Sequence, residues 1–286
     1  MASLKDIRRR IRATKSMQQI FKAMEMVAAA KLRRAQARAQ AASPYSARIS
    51  AMLTNLSASA SELEHPLFKV REAKVTALVV ITADRGFAGP YNTAILRVAE
   101  QRLKAAPPGS IQCVVVGRKG RDYLKRRNYP VLASYADLPG EASLELARQL
   151  TQDLTDRFLS GEVDRVEILY THFVNAMVRK VMEETFLPIG AGAAHEAAAG
   201  GGSAIFEPNA ESIFAELLPR YATAKLYAAM ADSLASEHSA RMVAMGSARK
   251  NAGELVDSLT LTRNRLRQAM ITREISELVA GAEALK

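Results

Sequence analysis

Two short loops carry the glycines and polar side chains from which phosphate sites are often built. Residues 83–92, ADRGFAGPYN, follow a β-branched run and open a helical stretch, and residues 117–120, GRKG, hold the equivalent place after the next such run. Backbone N–H groups at these turns bind phosphate in α/β folds. Neither loop matches the established dinucleotide-binding or P-loop glycine patterns, and Pro90 lacks an N–H group. A turn capped by Asn92 is the simpler expectation, and a nucleotide site at 84–92 stays open as an alternative.

The other reactive residue types form no catalytic or metal-binding pattern. Cys113 lies inside an apolar run and is expected to be an inert core thiol. Glu183 and Glu184 are adjacent on a predicted strand, where neighbouring side chains face opposite sides. The histidines are far apart and lack metal-ligand spacing: His65, His172, His195 and His238. The sequence therefore predicts no catalytic, cofactor-binding or metal-binding residues.

Positive charge is concentrated at the two ends of the chain. The 286 residues carry a net charge of +11. Residues 1–40 carry +9 and residues 241–286 carry +3, so the residues between them carry −1. This distribution indicates an acidic partner for the termini. The basic run at 8–12 is compatible with a solvated helix face, with protein carboxylates or with nucleic acid, although no aromatic side chain for base stacking precedes Phe21.

Both ends of the chain are predicted to be long helices. Residues 3 to about 60 contain no glycine and one proline, Pro44, and Ser3 with Asp6 forms a capping-box pattern. Apolar residues follow one narrow stripe: Leu4, Ile7, Ile11, Met17, Ile20, Met24 and Val27. The narrow stripe is typical of a coiled-coil seam.

The C-terminal helix is predicted to cover residues 210–284, after Pro208 and Asn209. At about 1.5 Å per residue, such a helix would be on the order of 110 Å long, which favours a coiled coil. Its stripe comprises Leu226, Met230, Leu234, His238, Met242, Met245, Ala252, Leu255, Leu259, Thr262, Leu266 and Ala269. Because the two terminal helices are each other's only candidate partners, we expect an antiparallel pair.

The middle of the chain changes from helical to alternating β and α periodicity. Strands are predicted at 75–81, 111–116, 131–135, 166–170 and 181–187, with helices at 93–105, 119–127 and 142–160. This alternation predicts a small, mostly parallel α/β sheet. Eleven of the thirteen residues at 190–202 are Gly or Ala, which is typical of a linker. The predicted divisions are 1–73 for the N-terminal helix, 74–189 for the α/β domain, 190–208 for the linker and 209–286 for the C-terminal helix.

Four segments of this sequence resemble the gamma subunit of F-type ATP synthases. They are 20–35, IFKAMEMVAAAKLRRA, then 82–92, 235–255 and 264–279, NRLRQAMITREISELV. The similarity covers nearly the whole chain in order. Phe21 replaces the threonine that is usual in the family, and Ala88 and Pro90 replace cysteine and glycine.

The resemblance implies a fold and a role. It implies an antiparallel coiled coil of the terminal helices with a Rossmann-like α/β domain at its foot. The role is that of a non-catalytic central-stalk rotor, without cofactors, inside a ring of three alpha and three beta subunits. It couples proton flow through the membrane to ATP synthesis or hydrolysis at beta. The epsilon subunit and the membrane rotor ring of c subunits would be further partners, with no nucleic acid. The location would be peripheral, on the cytoplasmic side of a bacterial inner membrane.

The resemblance also assigns contacts with beta to individual residues: Lys22, Met24, Arg267, Gln268, Thr272 and Glu274. Lys31 and Arg33 are added because their positive charge suits acidic loops. Simple coiled-coil surface stays open as the alternative for each of these residues. Met24 matches the methionine that faces acidic loops of beta, and Arg267 with Gln268 matches a pair that meets a second beta loop. Phe206 and Glu207 lie where the family approaches the rotor ring. Two other classes stay open: a basic coiled-coil nucleic-acid binder, and an α/β enzyme with a phosphate loop at 84–92.

Overall fold

The computed structural model describes residues 3–59, 65–136, 140–189 and 210–284. The helices in these ranges are α1 (Leu4–Ser59), α2 (Tyr91–Ala105), α3 (Arg118–Arg126), α4 (Leu144–Ser160) and α5 (Ala210–Ala284). The strands are β1 (Thr76–Ile81), β2 (Ile111–Val116), β3 (Val131–Tyr135), β4 (Arg165–Phe173) and β5 (Arg179–Leu187). A short 3-10 helix covers Pro66–Phe68. The predicted linker at 190–202 and the predicted rotor-ring residues Phe206 and Glu207 lie outside the described residues.

The five strands form one sheet in the order β3-β2-β1-β4-β5. The strands β3, β2, β1 and β4 are parallel to one another, and the edge strand β5 is antiparallel to β4. Leu78, Val79 and Val80 on β1 are completely buried, as expected for a strand covered on both faces. The predicted α/β sheet, mostly parallel, is confirmed.

Two apolar cores lie on opposite faces of this sheet. The larger core includes Val79 and Ile168 from the sheet, Phe158 from α4 and Leu226 from α5. The smaller core joins Leu78 and Val80 of β1 to residues of α2. Successive β1 side chains therefore alternate between the two cores, which fixes the strand register.

The two long helices are continuous across their prolines. At the start of α1, the Asp6 N–H donates to Ser3 Oγ at 3.2 Å and the Ser3 hydroxyl donates to the Asp6 carboxylate at 3.0 Å, which confirms the predicted cap. Pro44 does not end α1, and Pro219 lies inside α5. The expected long terminal helices are confirmed.

Contacts divide the chain into two compact units. The helical unit joins the N-terminal residues through Ala28 to the C-terminal residues from Met242, and the sheet unit comprises Ala29–Arg241. The domain limits predicted from the sequence follow changes of secondary structure rather than contacts, and they stay a prediction.

Inside the helical unit, the two helix segments are antiparallel. Ile7 and Ile11, near the start of α1, pack against Val256 of α5. Further along α1, the Glu25 carboxylate accepts a hydrogen bond of 2.8 Å from Nε of Arg249, which precedes Val256. The order of contacts is thus reversed between the helices, as expected for an antiparallel coiled coil.

The buried stripe of α1 is displaced by one residue from the predicted stripe. Met17, Ile20 and Val27 were expected in the seam, but they are 46, 56 and 57% exposed. The seam instead contains Thr14, Gln18, Phe21, Glu25 and Ala28, all buried or half-buried. These positions continue the steps of three and four that start at Ile7, whereas the sequence prediction followed the most apolar side chains.

The stripe of α5 also departs from its prediction at one end. Leu255, Thr262 and Ala269 are exposed, and Val256 is buried where Leu255 was expected. The rest of the predicted stripe is buried or half-buried: Leu226, Met230, Leu234, His238, Met242, Met245, Ala252, Leu259 and Leu266.

Candidate partner-binding surface

The loop at 83–92 folds back on the protein instead of forming a phosphate cradle. The Ala83 N–H donates to Asn92 Oδ1 at 3.0 Å, and the Tyr91 N–H donates to the Ala88 carbonyl at 3.2 Å. Asn92 is therefore a loop brace inside the first turn of α2, and the expectation that it caps the helix is wrong. Phe87, at φ +61°, is 73% exposed on this loop.

At the second loop, protein acceptors already occupy the N–H groups at the start of α3. Arg118 N–H donates to Asp84 Oδ1 at 2.8 Å, Lys119 N–H to the Ala83 carbonyl at 3.0 Å, and Gly120 N–H to Thr82 Oγ1 at 2.9 Å. A phosphate would have to displace these bonds. The N–H groups that a nucleotide site would use at the start of α3 are therefore already bonded, as are those of Ala83 and Tyr91 near the two ends of the first loop.

Glycine at the start of α3 permits this close approach. A Cβ on Gly117 would lie 2.2 Å from the Thr82 carbonyl oxygen, and one on Gly120 would lie 2.7 Å from Thr82 Oγ1. Gly117 also has φ +98°, which L side chains rarely adopt. The glycines that resemble a phosphate motif therefore serve the contact between β1 and α3.

The remaining reactive side chains have structural partners. Burial raises the pKa of the Cys113 thiol to about 12, so this thiol is protonated and unreactive. On β5, Glu183 pairs with Arg102 at 2.8 Å, whereas Glu184 accepts a 2.6 Å bond from the Tyr170 hydroxyl. The two carboxylates face opposite sides of the sheet, as predicted.

The described histidines are separate and bonded to different elements. His65 Nδ1 accepts the Leu67 N–H at 3.2 Å, and His172 lies 2.5 Å from the Asp232 carboxylate. His238 is buried, and its burial, together with nearby Arg241 and Lys31, lowers its pKa to about 4. Within the described ranges, no three His, Cys, Asp or Glu residues are grouped to hold a metal ion.

Glycines on α5 determine how closely the helices of the helical unit approach. A Cβ on Gly246 would lie 3.2 Å from Glu25 Oε1, and one on Gly253 would lie 2.9 Å from Gln18 Nε2. The two glycines are seven residues apart on α5, and Gln18 and Glu25 are seven residues apart on α1. The two polar side chains therefore fit into two holes of one heptad seam. This close packing explains why positions 246 and 253 of α5 are glycine.

The helical unit carries large apolar side chains on its surface. On α1 they are Met17, Ile20, Met26 and Val27, and on α5 they are Leu255, Leu261, Met270, Ile271, Ile275, Leu278 and Val279, each at least 46% exposed. Every side chain from 267 to 282 is exposed, so this part of α5 packs against no other described element. Extended apolar exposure of this kind marks a protein-binding surface.

The predicted beta-contact residues fall in three places. In the helical unit, Lys22 is exposed and Met24 half-buried on α1, beside the Glu25–Arg249 ion pair. A second group lies on the unpaired end of α5 and is fully on the surface: Arg267, Gln268, Thr272 and Glu274. These two groups lie at different heights of the helical unit and form no common site.

Lys31 and Arg33 belong to the sheet unit and are exposed on α1. Lys31 lines a cleft of about 20 Å³ together with Arg34, Arg38 and the buried His238. Arg38 also pairs with Glu141 across this cleft at 2.5 Å. The cleft has room for about one water molecule and cannot enclose a ligand. Its positively charged side chains are therefore available only to a partner that binds at the surface.

The off-seam apolar residues of α1 are the surface that the sequence prediction missed. A strict heptad count from Ile7 reaches Thr14, and it would have placed Met17 and Ile20 outside the seam. The second available signal was the seven-residue spacing of Gly246 and Gly253.

In the described ranges, no helix is long and apolar enough to cross a membrane.

Comparison with known proteins gives a consistent result. The family model described as ATP synthase matches residues 3–285. The ATP synthase gamma chain of Moorella thermoacetica is 45% identical over 287 residues, with both chains fully covered. That of Heliobacterium modesticaldum is 45% identical over 291 residues, again with both chains fully covered.

Solved structures resemble the chain in fold. A chain of the central stalk and c-ring of Tetrahymena thermophila mitochondrial ATP synthase is 26% identical with a TM-score of 0.64, over 80% of this chain and 99% of that one. A chain from the Euglena gracilis mitochondrial ATP synthase has a TM-score of 0.71 at 20% identity, over 99% and 94%. With full-length relatives at 45% identity, the chain belongs to the ATP synthase gamma chain family.

Proposed function

We propose that this chain is the central rotor of an F-type ATP synthase, transmitting torque between a membrane rotor ring and the catalytic subunits. The observation that carries the proposal is the unpaired end of α5, residues 267–282, whose side chains are all exposed. An exposed apolar helix end requires an apolar partner. A sleeve formed by a ring of alpha and beta subunits, as implied by the family, fits this requirement.

The proposed role requires an asymmetric shaft. Two antiparallel helices have no threefold symmetry, so three identical neighbours around them would each meet a different face. A conformational equilibrium shifts only by the difference in contact energy between its states. Moving a catalytic subunit almost completely from one state to the other needs about 5.5 kcal/mol, which the shaft would supply by pressing on one neighbour and releasing another.

The charged and polar side chains define separate proposed contacts with beta. Lys22 and Met24 would face its acidic loops from the surface of α1, next to the Glu25–Arg249 ion pair. Arg267 and Gln268, with Thr272 and Glu274 beyond them, would meet a second loop from the unpaired helix end. Lys31 and Arg33 would add positive charge from the sheet unit. Phe206 and Glu207 are proposed to contact the rotor ring.

The chain itself is proposed to be non-catalytic. The bonded N–H groups at the start of α3, and those of Ala83 and Tyr91 at the first loop, count against the phosphate-loop enzyme. The epsilon subunit and a ring of c subunits are proposed as further partners, and the peripheral cytoplasmic face of a bacterial membrane is the proposed location. The structural neighbours from a central stalk with its c-ring and from an F1 and c-ring assembly support the ring of c subunits as a partner.

Met24→Lys tests the proposed contact in the assembled complex. An added cation beside Lys22 would form an extra ion pair with acidic beta loops, and each rotation step would have to break it. We expect normal assembly and a lower ratio of protons pumped to ATP hydrolysed, measured in inverted vesicles. Gln19→Lys, at an exposed polar position of α1 outside the apolar surface, is the matched control. Equal coupling in both variants would count against the contact.

A further inference from the structure

Three serines of α5 join this helix to the sheet within the sheet unit. Ser233, Ser236 and Ser239 recur every three residues and are at most 1% exposed. We call them the serine seam. Buried hydroxyl groups require partners, and these three find them outside α5.

The bonds of the serine seam reach the end of β4 and its neighbours. Ser233 Oγ accepts the Tyr91 hydroxyl at 3.1 Å and the Thr171 N–H at 3.2 Å. The Ser236 hydroxyl donates to the Thr171 carbonyl at 3.0 Å. Both backbone groups of one β4 residue are therefore bonded to the same helix.

The third serine extends the connection to the turn between β4 and β5. The Ser239 hydroxyl donates to the Ala176 carbonyl at 2.7 Å and accepts from Arg179 Nη1 at 3.1 Å. Arg179 also donates to the Ala176 carbonyl at 3.3 Å. The turn is thus held to α5 by two side chains.

The arrangement opposes rotation of α5 about its own axis. At 3.6 residues per turn, the three serines spread over about 120° of the helix circumference and about 9 Å of its length. Hydrogen bonds are directional, whereas apolar contacts tolerate sliding. Turning the helix in either direction would stretch bonds on one side of the arc.

We infer that the serine seam is a torsional lock between α5 and the sheet, so that torque passes between them without slip. The inference rests on the proposed function, since a lock of this kind matters only for a chain that is turned. It assigns the three serines as positioning residues that act through α5. The neighbouring contact of Lys225 Nζ with the Thr185 carbonyl, at 2.8 Å, ties α5 to β5 in the same way.

The test uses the assembled complex with a rotation probe attached to the sheet unit and the catalytic ring immobilised. In the Ser236→Ala/Ser239→Ala variant, we expect an unchanged hydrolysis rate and an angular variance during pauses at least twofold larger. Ser247→Ala is the matched control, because Ser247 is an exposed serine of α5 that lies outside the serine seam and outside the proposed contact residues.

An unchanged angular variance in the double variant, with normal rotation, would overturn the lock and leave the rotor function intact. Absence of rotation in the unmodified complex and in the Ser247→Ala control would instead contradict the rotor function. The single Ser239→Ala variant covers the case in which the double variant misfolds, because Arg179 still satisfies the Ala176 carbonyl. A variance in this single variant equal to that of the control would also overturn the lock.

Discussion

Single atoms decide the packing between β1 and α3. Gly117 has no room for a Cβ, because the Thr82 carbonyl oxygen lies 2.2 Å from the position that atom would take. The sequence showed glycines at the correct place after β2. The sequence could not distinguish a glycine needed for phosphate binding from one needed for close packing, because both roles require another group to approach the backbone where a Cβ would otherwise lie.

Gly117→Ala should therefore lower the free energy of unfolding by about 2–4 kcal/mol, through backbone strain and the clash with Thr82. Gly109→Ala is the control, because Gly109 also has a positive φ, +84°, but no atom lies within 4 Å of its Cβ position. Denaturant unfolding of the full chain measures both. Equal losses would mean that strain alone, rather than the contact with Thr82, explains Gly117.

The buried His238 should make stability depend on pH. Its pKa is about 4 in the folded chain and 6.5 in the unfolded chain, so the unfolded state binds more protons between these values. The contribution is complete above pH 6.5 and is lost as pH falls toward 4, by up to about 3 kcal/mol. Denaturant unfolding between pH 7 and pH 4 measures the loss, which His238→Gln should reduce; an identical slope in that variant would contradict this assignment.

The positions of the helices and strands could be predicted from the sequence better than which of their faces are buried. The five strands and the long helices were predictable, because β-branched runs and glycine-free helical periods are local signals. The seam of the helical unit was not, since Glu25 and Gln18 enter it only where Gly246 and Gly253 leave holes on the other helix. Local hydrophobicity assigned Met17 and Ile20 to the seam, whereas packing between helices places them on the surface. The predicted contact residues carry no local signal of their own and depend on the family resemblance.

Gly253→Leu should destabilise the helical unit by about 1–3 kcal/mol, because the larger side chain would displace Gln18 from its hole. Gly281→Leu, in an exposed stretch of the same helix with no atom within 4 Å, should be neutral or slightly stabilising, since leucine favours helix more than glycine. Thermal unfolding of the two variants gives the comparison. A loss as large for Gly281→Leu would show that helix propensity or solubility, rather than seam packing, is responsible.

At the scale of the whole molecule, the excess positive charge lies at the two ends of the chain, +9 in residues 1–40 and +3 in residues 241–286. Apolar side chains extend along the surface of the helical unit. Both features are costly for an isolated protein and useful for one enclosed by partners. The sequence indicated an acidic partner from charge alone. The identity of this partner could be inferred only from the family motifs, because charge and periodicity do not distinguish protein carboxylates from phosphates.

We propose that this chain turns inside a catalytic ring while performing no chemistry itself. The decisive measurement attaches a probe to the sheet unit of the chain, in a complex held by its alpha and beta subunits, and supplies ATP. We expect unidirectional rotation with three pauses per turn, one for each catalytic subunit, and no ATP hydrolysis by the purified chain alone. Hydrolysis by the complex with a stationary probe, or turnover by the isolated chain, would contradict it.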